Sequence, residues 1–177
     1  MVALALSGCS DLEGSDDAGY VTGQGVVTVQ EPGERDAAVD RSFETIDGET
    51  LDLADYRGKP VVLVVWGSWC VPCRAEQPEV NEAAEQLGDS AAFVGINLRE
   101  PSVANAQAYV RDKQVPYPSI DANDGRALLA FQGTLTPYTI PAFVVLDGEG
   151  RVAASIIGSL PSTLTLVDLV EEVADGG

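Results

Sequence analysis

The sequence predicts an α/β fold in which a central mixed β-sheet is flanked by helices. Three observations carry this expectation. The runs "PVVLVVW" (60–66), "AAFVGINL" (91–98) and "IPAFVVL" (140–146) are short, continuous and apolar, as strands buried on both faces must be. Stretches with apolar residues every three or four positions alternate with these runs. The chain has 177 residues, 45% of them hydrophobic, which suits one domain with a sizeable core.

The regular pattern begins at Ser42. "SFETIDGETLDLADYRGKP" predicts a strand, a turn at Asp47–Gly48, and a second strand or a turn of helix. "PVVLVVW" is the central strand. A helix follows it, since Val80, Ala83, Ala84 and Leu87 repeat at i, i+3, i+4 and i+7 and Gly88 is placed to end it. "AAFVGINL" is the next buried strand, and "SVANAQAYVRDK" is a helix with Ser102 as its N-cap. A short segment "YPSID" leads to a predicted helix over "DGRALLAFQ" (124–132). "IPAFVVLDGEGRVAASII" reads as two strands around a turn at Asp147–Gly150, expected at the antiparallel edge of the sheet. Leu166, Leu169, Val170 and Val173 line one face of a closing helix.

Residues 10–41 contrast with this order. They hold eight acids and two arginines among many glycines, which predicts a solvated tether, with one short strand at Val26–Val29. Ahead of them, "MVALALSGC" has a short apolar stretch and small residues before cysteine, and it resembles a bacterial lipobox. The expected organisation is therefore a truncated lipoprotein signal peptide over 1–8, a lipidated Cys9 with its acidic tether over 9–41, and the folded domain over 42–177.

Composition excludes several chemistries. With 28 acidic residues against 10 basic ones the net charge is −18, which repels nucleic acid and anionic lipid headgroups and favours solubility. The chain has no histidine, so neither a Ser-His-Asp nor a Cys-His nucleophile system is available. With Cys9 assigned to a lipid only two thiols remain, too few soft ligands for zinc or copper(I), and no metal or cofactor is expected.

The two remaining thiols form Cys70-Val-Pro-Cys73, between the central strand and the first helix. Pro72 suits an early helical position, because it has no N–H to lose and its φ is already helical. Cys70 then stands at the helix N-terminus, where free N–H groups and the helix dipole stabilise a thiolate and lower its pKa below the usual ~8.5. Cys73, one turn in, is near enough to close a disulfide. Cys70 is thus the attacking thiol and Cys73 the resolving one. As a structural staple the pair is weak: a four-residue loop contributes about 2 kcal/mol, against nearly 5 for a hundred-residue loop. A redox couple is the better reading.

"WCVPCRAEQP", with "GETLDLADYRGKPVVLVVWGS" before it and "TIPAFVVLDGEGRV" far downstream, resembles the TlpA/ResA-type thioredoxin-like family over residues 42–174. The resemblance implies a thioredoxin-like fold with an extra helix and strand over 101–120 and an N-terminal strand or hairpin. It implies a membrane-tethered thiol–disulfide oxidoreductase outside the cytoplasm that reduces disulfides of secreted proteins, apocytochrome c in cytochrome c maturation among them, and is resupplied with electrons by a membrane redox partner. Pro141 is then a cis-proline beside Cys70, with Ile140 offering its backbone to a substrate strand, and Pro78 is the proline inside the helix. Thioredoxin carries a buried aspartate six residues before its first cysteine, and Val64 stands there in this chain. Glu76 occupies the position of a glutamate that ResA-type proteins place in the active-site cavity. It is either a proton acceptor or a solvated first-turn carboxylate favoured by the dipole. Trp69 is either a contact surface beside the thiols or part of the core.

Two other functions remain open. A peroxiredoxin-like peroxidase needs Thr or Ser three residues before its cysteine, where this chain has Gly67. A lipoprotein binding module would use the fold with a structural disulfide.

Overall fold

The computed structural model describes residues 20–21 and 25–176. The expected signal peptide, the lipidated Cys9 and the first part of the tether lie outside them. The strands are β1 (Tyr20–Val21), β2 (Gly25–Val29), β3 (Ser42–Glu44), β4 (Thr50–Asp52), β5 (Val61–Trp66), β6 (Ala92–Asn97), β7 (Ser119–Asp121), β8 (Ala142–Leu146) and β9 (Val152–Gly158). The α-helices are α1 (Val71–Leu87), α2 (Val103–Lys113) and α3 (Thr163–Asp175). Seven strands form one mixed sheet in the order β1-β2-β9-β8-β5-β6-β7, while β3 and β4 pair antiparallel on their own across the expected Asp47–Gly48 turn.

The central run behaves as its composition predicts. All six residues of β5 are buried, parallel to β6 on one side and antiparallel to β8 on the other. Its side chains alternate between two cores. Val62 and Val64 pack with Val80, Ala83 and Leu87 of α1 and with Leu166, Leu169, Val170 and Val173 of α3. Val61, Leu63 and Val65 face the opposite core, with Leu53, Leu128 and Phe131. Each fully buried Val or Leu contributes roughly 1.5–3 kcal/mol relative to exposure. Gly88 ends α1 at φ 50°, and Ser102 and Ser162 cap α2 and α3 by accepting hydrogen bonds from Asn105 N and Thr165 N.

Three expectations are corrected. The helix predicted over 124–132 is a 3-10 turn, Ala127–Phe131. Gly125 and Gly133 bracket it at φ 75° and 90°, and the space between them admits only a short i to i+3 spiral that turns Leu128 and Phe131 inward. The second correction concerns β8 and β9, which do not form an edge. The whole of β2 pairs with β9, from Gly25 opposite Gly158 to Val29 opposite Ala154, so both β8 and β9 lie inside the sheet.

The third correction follows from the second: the folded body begins before Ser42, because the strand expected at Val26–Val29 joins the sheet as β2 and the segment after it, though mostly exposed, is fastened to the β8–β9 turn. Beyond β2, Val39 is buried and its N–H donates to Gly150 O. Arg35, whose side chain is 3% exposed, pairs at 3.0 Å with Asp147 in the β8–β9 turn. Asp147 also accepts from the backbone N–H of Glu149 and Arg151 and from the Arg151 guanidinium. Burial by itself would raise the Asp147 pKa, but these hydrogen bonds together outweigh it and hold the carboxyl below its ordinary value. Asp147→Ala is expected to cost about 3 kcal/mol at neutral pH in urea denaturation, because it strands a buried arginine. The native pKa is depressed, so the contribution is present above the unfolded pKa and disappears as pH falls through the folded one. The mutant and wild-type curves should therefore converge in acid.

Candidate active site at the start of α1

Strand β5 ends at Trp66 and the chain turns through Gly67–Trp69, with Cys70 N donating to Gly67 O at 3.0 Å. A side chain on Gly67 would crowd this turn. A Cβ on it would lie 2.6 Å from the Trp69 indole nitrogen and 3.0 Å from Leu98 O. The turn is held from outside by Glu100, whose carboxylate accepts from Ser68 N at 2.9 Å, from the Ser68 hydroxyl, and from Asn97 Nδ2 at 3.1 Å.

Cys70 is the N-cap of α1, in extended backbone, and its Sγ accepts from Cys73 N at 3.3 Å. Val71 and Pro72 open the helix as the sequence predicts. Cys70 and Cys73 form a disulfide with Cα atoms 5.3 Å apart. Both are only 3% exposed, packed with Ile46, Trp66, Ala106, Tyr109 and, partly buried, Ile140. At the helix N-terminus the unpaired N–H groups are oriented to stabilise a thiolate once the bond is reduced.

The Ile140–Pro141 peptide is cis. Pro141 O accepts from Gly158 N and Ile140 N donates to Tyr138 O, while among the described residues no group donates to the Ile140 carbonyl. The Ile140 side chain packs against the buried cluster that holds the cysteines.

Glu76 is not a solvated carboxylate. It is 8% exposed, and its Oε2 accepts from Leu160 N at 2.9 Å. Burial raises its pKa to about 7; the Leu160 bond opposes the rise and the neighbouring Glu79 charge adds to it. Val64, by contrast, sits in a wholly apolar core, so the buried acid is supplied by α1 and not by β5.

The two tryptophans take opposite roles. Trp69 is 39% exposed; its indole N–H donates to Leu98 O, and the Arg99 guanidinium lies 4.4 Å over its ring. It is a surface residue. Trp66 is the core one, stacked on Tyr109 at 4.6 Å and donating to Ser119 Oγ. Tyr109 and Gln77, not anticipated from sequence, complete the floor: the Tyr109 hydroxyl lies 3.4 Å from Cys73 O and 3.1 Å from Gln77 Oε1, and Gln77 Nε2 donates to Tyr117 and Asn81. Burial pushes both phenols above their ordinary range and keeps them protonated, Tyr109 as a donor to Gln77 and Tyr117 as the acceptor of the Gln77 amide. Arg99 and Glu100 were also missed. Their one local signal is position, just beyond the carboxyl end of the parallel strand β6, where sites in such sheets gather.

Residues 35–155 match the AhpC/TSA family. The chain belongs to the AhpC/TSA family. Its relatives include the thiol:disulfide interchange protein DsbE of Pseudomonas fluorescens biotype C, 32% identical over 118 residues, or 66% of this chain and 62% of that one. The thiol–disulfide oxidoreductase ResA of Bacillus cereus is 27% identical over 114 residues, 64% of this chain and 63% of that one. The chain thus spans just under two thirds of both. Among solved structures, a secreted thiol–disulfide isomerase from Corynebacterium glutamicum superposes with a TM-score of 0.78 at 26% identity, covering 84% of this chain and 92% of that one. The fold of this AhpC/TSA member is thioredoxin-like, and the ResA-type resemblance read from its motifs is the one these relatives carry. Among the described residues no helix is long and apolar enough to cross a membrane.

Proposed function

We propose that this thiol–disulfide oxidoreductase of the DsbE/ResA type works outside the cytoplasm, held to the cell membrane by a lipid on Cys9, and reduces disulfides of secreted proteins. Apocytochrome c is one substrate class within this reading, and a membrane redox partner restores the dithiol. The observation that carries it is the Cys70 sulfur at the N-cap of α1, disulfide-linked to Cys73 in a cluster against which Ile140 packs.

The reaction starts from the reduced pair. A substrate strand pairs with the Ile140 backbone, which brings its disulfide to Cys70. The Cys70 thiolate attacks one substrate sulfur; a mixed disulfide forms and the other substrate sulfur leaves as a thiolate that takes up a proton. Cys73 loses its proton to the Glu76 carboxylate and attacks Cys70 Sγ. The Cys70–Cys73 bond closes, and the second substrate sulfur departs. Two electrons have passed from the dithiol to the substrate. With a pKa near 7, Glu76 is poised to take a proton and release it near neutral pH.

Equilibration with dithiothreitol at defined ratios, followed by thiol counting, tests the reading. A reductase should give a potential near or below about −230 mV. A value near about −120 mV would make the protein an oxidant, and a pair that never exchanges would leave a binding module with a structural bond. A peroxidase is disfavoured by one observation: the Trp69 indole occupies the space a Thr or Ser side chain at position 67 would need. Hydrogen peroxide should not be consumed.

A further inference from the structure

Arg99 is an anomaly on two counts. Its φ is +50°, a backbone conformation uncommon for residues other than Gly, Asn and Asp, and it costs on the order of 1 kcal/mol. Its neighbour maintains the strained corner: Glu100 N donates to Asn123 Oδ1 at 2.6 Å while the Glu100 carboxylate grips Ser68 and Asn97. The second count is charge. In a chain with 28 acids, Arg35, Arg57, Lys113, Arg126 and Arg151 each pair with one, yet among the described residues no carboxylate pairs with Arg99. Other bases lack acid partners too, but Arg74, the other one near the cysteines, spends an N–H on Ser68 O.

The strain places the Arg99 guanidinium 4.4 Å over the Trp69 ring and 5.8 Å from the ring centroid of Tyr138, itself 82% exposed. Trp69 adjoins Cys70, and Tyr138 stands two residues before Ile140. The cation is thus held by stacking on two rings that neighbour Cys70 and Ile140 in the chain, and among the described residues its guanidinium makes no hydrogen bond or ion pair to the protein.

We propose that Arg99 is a specificity-determining residue, selecting substrate segments that carry a carboxylate side chain within two or three residues of the reacting cysteine. The proposal rests on the oxidoreductase reading above. An extended segment advances about 3.3 Å per residue, so such a side chain lies roughly 7–10 Å along the segment from the reacting sulfur, a reach on the order of one that passes the adjacent Trp69. The guanidinium fork matches a carboxylate. It also offsets locally the repulsion that a net charge of −18 imposes on any acidic substrate.

The test uses the full chain and two disulfide-bonded peptides identical except for Asp or Asn two residues from the cysteine, in versions with that residue on either side. An exposed ion pair predicts kcat/KM about 3- to 5-fold higher for the Asp peptide, a ratio that shrinks in roughly 0.5 M salt. Arg99→Asn suits the left-handed backbone and should bring the ratio to about 1, while Arg99→Lys, which keeps the charge but not the planar stack, should retain part of it. Equal rates with the wild type, or a ratio unchanged in Arg99→Asn, would overturn the proposal while leaving the oxidoreductase reading intact. If neither peptide exchanges with the wild type, the oxidoreductase reading itself falls and this one with it.

Discussion

Replacing Cys70 with serine is expected to lower disulfide exchange by roughly 10³-fold or more, since a hydroxyl at the same N-cap is neither ionised nor a comparable nucleophile near neutral pH. Cys73→Ser should behave differently. The attacking thiol remains, with its Sγ still facing the first free N–H groups of α1, so substrate is captured but not released. The Cys73→Ser protein should accumulate as a mixed disulfide, visible as added mass that dithiothreitol removes. If Cys70→Ser were instead the variant that trapped substrate, the roles assigned here would be reversed. Both variants lose a bond closing only a four-residue loop, so the stability cost should be about 2 kcal/mol, and both should remain folded at 25 °C.

Glu76→Gln carries the second large effect, and it separates charge from hydrogen bonding. The amide oxygen of glutamine still accepts from Leu160 N, while the titration is removed. In the disulfide form the carboxyl pKa is raised to about 7 from an ordinary 4.5. The folded protein therefore holds a proton between those values that the unfolded chain has released, and wild-type stability falls as pH rises through that window. Glu76→Gln should abolish the fall. After allowance for solvent screening of a carboxyl that is not wholly enclosed, the mutant should be about 2 kcal/mol more stable than wild type at pH 8, with no gain below pH 4. Function should move the other way: the exchange rate falls and its pH profile loses the inflection near 7. A profile unchanged by the substitution would exclude Glu76 as the proton acceptor.

These two predictions differ in how far the sequence alone supports them. The Cys70–Cys73 pair is a local signal: an apolar strand, a tight turn, a proline and a helix within about twenty residues, each placed by short-range rules. The helix cap at Ser102 and the buried stripe of α3 are local in the same sense, and the structure has them as expected. The fate of Glu76 was not local. Its position in the first turns of α1 is compatible with a solvated carboxylate, and only the approach of Leu160, 84 residues away, encloses it. Trp69 and Trp66 are a similar case. They stand three residues apart, and which is buried depends on Tyr109 and Ser119 closing over one and Arg99 stacking on the other.

Fold class, most of the strands and helices, and the Cys70–Cys73 pair at the start of a helix are legible in one dimension, because periodicity, capping and turn chemistry act over a few residues. Three features waited on tertiary packing: which acid is buried beside the cysteines, which tryptophan faces solvent, and that residues 25–41 belong to the folded body. The short strand expected at Val26–Val29 is β2, but its place in the sheet, and that of Arg35 against Asp147, are not visible along the chain. The two become structural because β9 would otherwise have unpaired backbone groups along one side and Asp147 a buried charge with one arginine fewer. Partners far apart in the chain leave no period or motif for the sequence to display, and burial is settled only when they meet.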